Sequence, residues 1–205
     1  MPSRREFLQA GLAASIVPVA IPIHASSGDV PRSNVVTPAV HPLYAVVCDV
    51  RSLESAALAV EMERGGVSVT RIDGDITEFW FNDLSLRWKE APVSVAGLTA
   101  HGPLFCLERL AWDHGMRVVF RGTHRFLDSG RIEHSITGPA GTIASARRAG
   151  LEGPQWARGV ARLLNSCEMS RESASIAVAG ATPNDGRLDA HETLVSWVIA
   201  PRHQR

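Results

Sequence analysis

Between residues 44 and 114, short apolar segments alternate three times with longer segments whose apolar residues recur at helical spacing. The short segments, residues 44–49, 67–72 and 93–97, are predicted strands. The longer segments, residues 53–64, 76–90 and 103–114, are predicted helices, the second broken near Asp83. Because parallel strands need a crossover of about a dozen residues, usually a helix, this alternation predicts a parallel sheet.

The second half of the chain changes from this alternation to strand pairs. Residues 116–126 and 131–137 are predicted strands, and the turn between them predicts a hairpin. A loop with one helical turn is predicted over 139–153, a helix over 155–167, and strands over 175–181 and 192–200 with a turn at 183–186. The sequence therefore predicts one α/β domain over residues 43–205. Its fold is a three-layer open sheet, with parallel βαβ units in the N-terminal half and antiparallel strands added in the C-terminal half.

The first 25 residues differ from the rest of the chain. Arg4 and Arg5 precede an uncharged run from residue 10 to residue 23, and small and polar residues follow. This order of regions is typical of a secretory signal peptide. A membrane-spanning helix needs about 20 apolar residues, whereas this run is shorter and contains Pro18 and Pro22. No stable membrane span is therefore expected once the leader is removed.

The segment Ser3-Arg4-Arg5-Glu6-Phe7-Leu8 resembles the bacterial twin-arginine (Tat) signal motif, Ser/Thr-Arg-Arg-x-Phe-Leu. The resemblance covers residues 1–25 only. It implies a periplasmic protein that is exported already folded, with cleavage expected after Ala25. Cargo of this kind often holds a cofactor or travels with a partner. Residues 26–42, which are rich in Ser, Pro and Val, are predicted to form a linker or extended arm.

Charge and cysteine content exclude several classes of protein. The chain has 21 basic and 21 acidic residues, and it loses two basic and one acidic residue with the leader, which leaves a net charge near −1. This balance argues against nucleic acid and against an anionic membrane surface as partners. The chain has three cysteines and no Cys-x-x-Cys pair, which excludes a disulfide-dense scaffold. Cys48 and Cys106 lie in apolar patterns and are predicted to be buried.

Ligands of open α/β sheets bind beyond the carboxyl ends of the strands, where the strand order reverses. The candidate residues are those that follow the three predicted strands: Asp49, Arg51, Ser52, Asp73, Asp75, Thr99, His101 and Gly102. His101 is a candidate acid or base, because the unperturbed pKa of histidine is near neutral. Asp49 is the candidate to hold a substrate hydroxyl, Arg51 to orient a carboxylate, and the amides from Gly102 onward to bind an anion.

These residues also have a purely structural interpretation. In that case Asp49 and Ser52 cap a helix. Asp73 and Asp75 then form a turn, and His101 is a solvated loop residue.

The predicted hairpin brings two histidines together. With the turn centred on Ser129, His124 and His134 stand opposite each other on one face, where they are candidates for a shared metal or ligand contact. Metal sites usually have three or four ligands, and His191 and Glu192 near the last strand are candidates for the others. A stacked or solvated histidine pair is the alternative.

The chain contains no Gly-x-Ser-x-Gly, Gly-x-Gly-x-x-Gly, phosphate-loop or His-Glu-x-x-His motif. The first hypothesis is therefore a non-catalytic periplasmic protein, either a small-molecule-binding domain or the accessory subunit of a cofactor-bearing oxidoreductase. In that case an exposed tryptophan would mark the partner surface. The second hypothesis is a small hydrolase or isomerase that uses His101 with Asp49 and Arg51. The third is a metal carrier built on His124 and His134. The sequence specifies no cofactor.

Overall fold

A computed structural model describes residues 39–127, 130–181 and 193–201. Its strands are β1 (Leu43–Asp49), β2 (Val69–Ile72), β3 (Ser94–Thr99), β4 (Met116–Leu127), β5 (Arg131–Pro139), β6 (Ser173–Ala181) and β7 (Thr193–Pro201). Its helices are α1 (Leu53–Arg64), α2 (Thr77–Phe79), α3 (Ser85–Glu90), α4 (His101–Asp113), α5 (Ala140–Ala146) and α6 (Trp156–Asn165). A π-helical turn at Trp80–Leu84 joins α2 to α3, at the place where the sequence predicts a broken helix.

The strands of the described residues form one sheet in the order β2-β1-β3-β7-β4-β5-β6. β1 pairs in parallel with β2 and with β3, whereas every pair from β3 through β7, β4 and β5 to β6 is antiparallel. The predicted α/β fold is therefore confirmed. The position of β7 was not predicted: it is the last of the described strands in sequence but lies between β3 and β4 in the sheet.

Helices cover both faces of the sheet, which gives three layers. On one face, α1, α5 and α6 pack over a core that contains Leu58, Phe120 and Trp156. On the other face, the α2–α3 segment and α4 pack over a second core that contains Leu107 and Trp197. Both tryptophans are fully buried.

β1 and β3 are parallel neighbours, but the connections that follow them run toward opposite edges of the sheet. From β1 the chain passes through α1 to β2, whereas from β3 it passes through α4 to β4, on the other side of the sheet order and over the other face. Ligands of open sheets bind at such a switch point. Asp49 ends β1 and Thr99 ends β3, so the predicted candidate residues lie at this place in the fold.

Local signals account for the ends of α1 but not for the start of α4. Ser52 caps α1 by accepting a hydrogen bond from the Ser55 amide, and Gly65 follows its last residue. β3 continues to Thr99 and α4 begins at His101, so the tight loop predicted for residues 98–102 is wrong. Pro103 lies in the first turn of α4, where the helix needs no amide hydrogen.

Two other expectations need correction. Cys106 is exposed, not buried, because it lies on the solvent side of α4. Residues 140–146 form a seven-residue helix where a single turn was predicted. Part of the predicted arm packs on the domain, since the His41 amide donates to the Cys167 carbonyl. The leader and the turn at 183–186 lie outside the described residues. Among the described residues, no helix is long and apolar enough to cross a membrane.

Candidate functional site

The carboxylate of Asp49 is buried at the end of β1, with 2% of the residue exposed. Arg51 binds it through Nε at 2.9 Å, through Nη2 at 2.6 Å and through its backbone amide at 3.1 Å. The Ala100 amide, between β3 and α4, faces the carboxylate and helps to lower its pKa. Burial raises the pKa of Asp49, but the hydrogen bonds and charge of Arg51 outweigh burial and hold that pKa below its usual value. Asp49 is therefore an ionised and internally bound group.

Serine and threonine hydroxyls complete the network around Asp49. The Ser55 hydroxyl accepts from the Asp49 amide at 2.8 Å and donates to the Leu98 carbonyl at 2.5 Å, which ties β1 and α1 to β3. The buried hydroxyl of Thr99 accepts from the Trp197 indole at 3.2 Å and donates to the Ala100 carbonyl at 2.8 Å. The Ser55 and Thr99 hydroxyls thus join β1, α1 and β3, and each hydroxyl both donates and accepts a hydrogen bond within the protein.

Asp73 and Asp75 lie in the exposed turn after β2, and Gly102 lies in the first turn of α4. The Arg51 guanidinium lies over Gly74, where an added Cβ would be 2.4 Å from its central carbon. Asp75 accepts from the Thr77 amide at 2.8 Å and so begins α2, and Asp73 is exposed beside it. Gly102 is exposed, with open space around its Cα.

His101 does not join the Asp49 and Arg51 pair. It is exposed on the first turn of α4, and its ring stacks on Phe105 with 6.2 Å between centroids. Within the described part of the chain its ring makes no hydrogen bond. The structure thus brings Asp49 and Arg51 together and directs His101 along the surface of α4.

An exposed row of side chains, here called the α4 stripe, runs along this helix and consists of His101, Phe105, Arg109 and Trp112. Their spacing places them on one side of the helix, opposite Leu104 and Leu107, which enter the core. Phe105 is 48% exposed and Trp112 is 46% exposed. The spacing of these four residues in the sequence is a signal for an exposed row, whereas the sequence prediction named only His101 and the core-facing side of this helix.

Arg109 joins the two aromatic residues of the α4 stripe. Its guanidinium carbon lies 5.3 Å from the Phe105 ring centroid and 4.5 Å from that of Trp112. Such cation–π contacts hold a guanidinium in place while its N–H groups stay available. No carboxylate among the described residues pairs with Arg109. The α4 stripe therefore presents two aromatic surfaces and a positioned, unpaired cation to solvent.

His124 and His134 are directly opposite in the β4–β5 register, as predicted. Both are buried, and their Nδ1 atoms lie 2.8 Å apart. Both rings pack on Trp156 at the start of α6, with centroids 4.6 and 5.0 Å away. His124 Nε2 lies 2.8 Å from the Ser196 hydroxyl of β7. The histidines therefore belong to the core beneath α6.

Glycines make room for this histidine pair. A Cβ on Gly122 would lie 2.4 Å from the Ser196 oxygen, and one on Gly180 would lie 3.1 Å from His134 Nε2. Nε2 of His134 has no hydrogen-bond partner among the described residues. The nearby Leu151 backbone raises the pKa of His134. Burial is the larger effect and lowers the pKa of His134 to about 4. Burial, followed by the adjacent His134, lowers the pKa of His124 well below its usual value.

One arrangement of protons suits this geometry. Ser196 donates to His124 Nε2, His124 Nδ1–H donates to His134 Nδ1, and the remaining proton on His134 Nε2 points toward the Leu151 carbonyl. The opposite arrangement would leave a bare nitrogen facing that carbonyl. Within the described residues, no cluster of three His, Cys, Asp or Glu side chains is placed to hold a metal, and His191 and Glu192 lie outside them.

A shallow groove of about 290 Å³ lies between the C-terminal ends of α1 and α6. Its charged walls include Glu61, Arg64 and Arg162. Arg64 pairs with Glu61 at 3.6 Å, and Arg162 donates to the Ala149 carbonyl at 2.8 Å. Small-molecule pockets usually have volumes of about 300–1,000 Å³ and a few convergent polar groups. This groove is small, and its cations are engaged within the protein.

No protein family, curated protein or solved structure matches this chain in the comparisons with known proteins.

Proposed function

We propose that this chain is an exported, non-catalytic accessory protein that binds a partner protein through the α4 stripe. The observation that carries the proposal is the exposed row of Phe105, Arg109 and Trp112, with its guanidinium held between two aromatic rings. Trp, Phe and Arg are enriched at protein interfaces, and Trp and Arg often contribute most of the binding energy. Because no carboxylate of the described residues pairs with Arg109, its guanidinium favours a partner that presents a carboxylate.

The twin-arginine motif supports the cellular part of the proposal. Arg4 and Arg5 direct the folded protein to the periplasm, and the partner is the cofactor-bearing oxidoreductase subunit with which it is exported. A chain with a net charge near −1 after removal of the leader is not repelled strongly by partners of either sign.

The enzyme hypothesis receives less support from the geometry. It needs Asp49 and Arg51 to hold a substrate beside His101. The Asp49 carboxylate is instead buried and bound by Arg51 and Ala100, while His101 stacks on Phe105. Small-molecule binding is also less supported, because the groove between α1 and α6 is shallow and its arginines are engaged.

Native mass spectrometry of the protein purified from the periplasm of its own host tests the binding surface. For the natural chain we expect a complex with a polypeptide of different sequence. For Trp112→Ala we expect this complex to be lost or weakened by about 30-fold or more, which is the effect of an interface hot spot. Phe81→Ala is the matched control, because Phe81 is 66% exposed but lies outside the α4 stripe. A bare chain, or equal losses for both variants, would overturn the proposal.

Cell fractionation tests the export route separately. Replacement of both Arg4 and Arg5 by lysine is expected to leave the full-length chain in the cytoplasm. Arg32→Lys, the same change outside the motif, is the control and should be exported normally. Export of the double variant would exclude the twin-arginine route without bearing on the α4 stripe.

A further inference from the structure

The two outer strands of the sheet differ in how well they are protected from pairing with another chain. β2, at one edge, has four residues and carries Arg71, which pairs with Glu63 at 2.8 Å. β6, at the other edge, has nine residues, Ser-Ala-Ser-Ile-Ala-Val-Ala-Gly-Ala. It contains no charged residue and no proline. Natural edge strands are usually short, charged or interrupted, because an open edge recruits other strands. β6 has none of these protections.

The hydrogen bonds at the two ends of β6 show which of its backbone groups face outward. Just before β6, the Glu172 carbonyl accepts from the Ala140 amide and therefore points toward the β5 side. In β6, the backbone amides and carbonyls of the even-numbered residues point the same way, toward β5. At the other end, the Ala181 amide donates to Glu152 instead of to β5. Because these directions alternate along a strand, the backbone groups of four residues point away from the sheet: Ser173, Ser175, Ala177 and Ala179. Within the described residues, no strand lies beyond this edge.

We propose that the protein forms a two-fold symmetric dimer in which the β6 strands of two copies pair antiparallel, centred on Ile176. This register places Ser173 opposite the partner's Ala179 and Ser175 opposite the partner's Ala177, each pair occurring twice. All the outward backbone groups between Ser173 and Ala179 are then satisfied. The Ala181 amide, already bonded to Glu152, lies just outside the paired region. The available backbone groups therefore define the extent of the pairing.

The side chains of β6 fit the same register. Ile176 and Val178 are half-buried on the face that packs against the core beneath α5 and α6. In the dimer, Ile176 contacts its own counterpart and Val178 lies opposite the partner's Ala174, which extends this core across the two-fold axis. On the opposite face the side chains are Ser and Ala, so no charge or bulk obstructs the contact. A second copy of the chain is therefore complementary to this edge.

The dimer surface is separate from the α4 stripe. α4 packs over β3, β7 and β4, whereas β6 is separated from β4 by β5. The proposed dimer thus goes beyond the proposed function, and a partner could occupy α4 in each copy.

Sedimentation equilibrium of the full-length chain tests the proposal with two variants at one position. Ala177→Pro removes an outward amide hydrogen, which an edge strand tolerates, and is expected to give a monomer. Ala177→Thr keeps the amide and is expected to remain dimeric like the natural chain. Circular dichroism establishes that the proline variant is folded. A natural chain that is monomeric at the highest concentration reached, or a dimer that persists in folded Ala177→Pro, would overturn the proposal.

Cysteine cross-linking tests the register. In a Cys106→Ser background, which removes the exposed thiol, Ile176→Cys should form a disulfide-linked dimer on mild oxidation. The two Cα atoms are expected about 4.5 Å apart, as in a non-hydrogen-bonded pair. Val178→Cys is the matched control and should not cross-link, since the cysteine at position 178 of each chain lies opposite Ala174 of the other chain. Equal cross-linking of both variants, or none with Ile176→Cys, would contradict the proposed register.

Discussion

At the scale of single residues, the Asp49 carboxylate depends on Arg51 and on backbone amides for all of its bonds. Asp49→Asn keeps the shape of the side chain but removes the charge that Arg51 and the Ala100 amide stabilise. We expect a loss of about 1–3 kcal/mol in the free energy of unfolding, measured by urea denaturation. Asp73→Asn, at an exposed neighbouring turn, should change stability little. A comparable loss for both variants would contradict the structural role of Asp49.

The buried histidine pair makes stability depend on pH. Well above pH 6.5 both histidines are neutral in the folded and unfolded chain, so they add no pH dependence. As pH falls below that value, the unfolded chain takes up protons that the folded chain excludes, because burial lowers the pKa of His134 to about 4 and that of His124 well below its usual value. The free energy of unfolding should therefore decrease between pH 6.5 and pH 4, by roughly 3 kcal/mol from His134 alone.

Urea denaturation at a series of pH values measures this dependence. His134→Phe keeps a ring against Trp156 and removes one titrating group, so its stability should fall less steeply with decreasing pH, whatever its stability at pH 7. His101→Gln is the control, because His101 is exposed on α4, and its slope should match that of the natural chain. An unchanged slope in His134→Phe would show that the pair does not set the acid sensitivity.

At the scale of elements, the connection from β2 to α2 holds Arg51 in place. Gly74 has a φ of 93° and Gly66, after α1, has a φ of 78°, so an alanine at either position is strained by about 1–2 kcal/mol. At Gly74 the new methyl also meets the Arg51 guanidinium, whereas at Gly66 it meets nothing within 4 Å. We therefore expect Gly74→Ala to destabilise the protein more than Gly66→Ala.

A double-mutant cycle identifies the origin of that difference. If Gly74→Ala acts by displacing Arg51 from Asp49, its cost should shrink in an Asp49→Asn background, while the cost of Gly66→Ala should not. Urea denaturation of the single and double variants gives both values. Additive costs for Gly74→Ala and Asp49→Asn would mean that the loop does not act through the ion pair.

Local patterns predicted the elements better than their arrangement. Apolar periodicity and caps such as Ser52 gave α1 its observed bounds, because these signals act within one turn of the helix. The start of α4 was predicted two residues late, since Pro103 suits several positions of a first turn. The position of β7 depends on contacts with β3 and β4, far away in sequence. No local pattern encodes such contacts.

In the candidate site, too, local features were predicted and long-range contacts were not. Facing histidines in a hairpin follow from the turn, so His124 and His134 were predicted as a pair. Their burial under Trp156 depends on where α6 packs, which the hairpin does not determine. Asp49 and Arg51 were predicted to lie at the strand ends. That Arg51 binds the Asp49 carboxylate depends on how the loop after β1 folds back, which no local pattern encodes.

At the scale of the whole molecule, the centre of the sheet is completed by β7, the last strand of the described residues. β7 joins the parallel strands to the antiparallel strands by pairing with both β3 and β4. The two halves of the sheet therefore become continuous only after residues 193–201 are available.

The three thiols report on the whole fold. Burial raises the pKa of Cys48 in β1 and of Cys167 after α6 to about 12, while Cys106 is exposed on α4. At pH 8 a thiol reagent should modify Cys106 rapidly, and the other two only when the chain unfolds. Peptide mass spectrometry over time gives the separate rates. Asp49→Asn should accelerate modification of Cys48 and Cys167 together and leave Cys106 unchanged. If Cys48 alone became faster, the end of β1 would open independently of the rest of the domain.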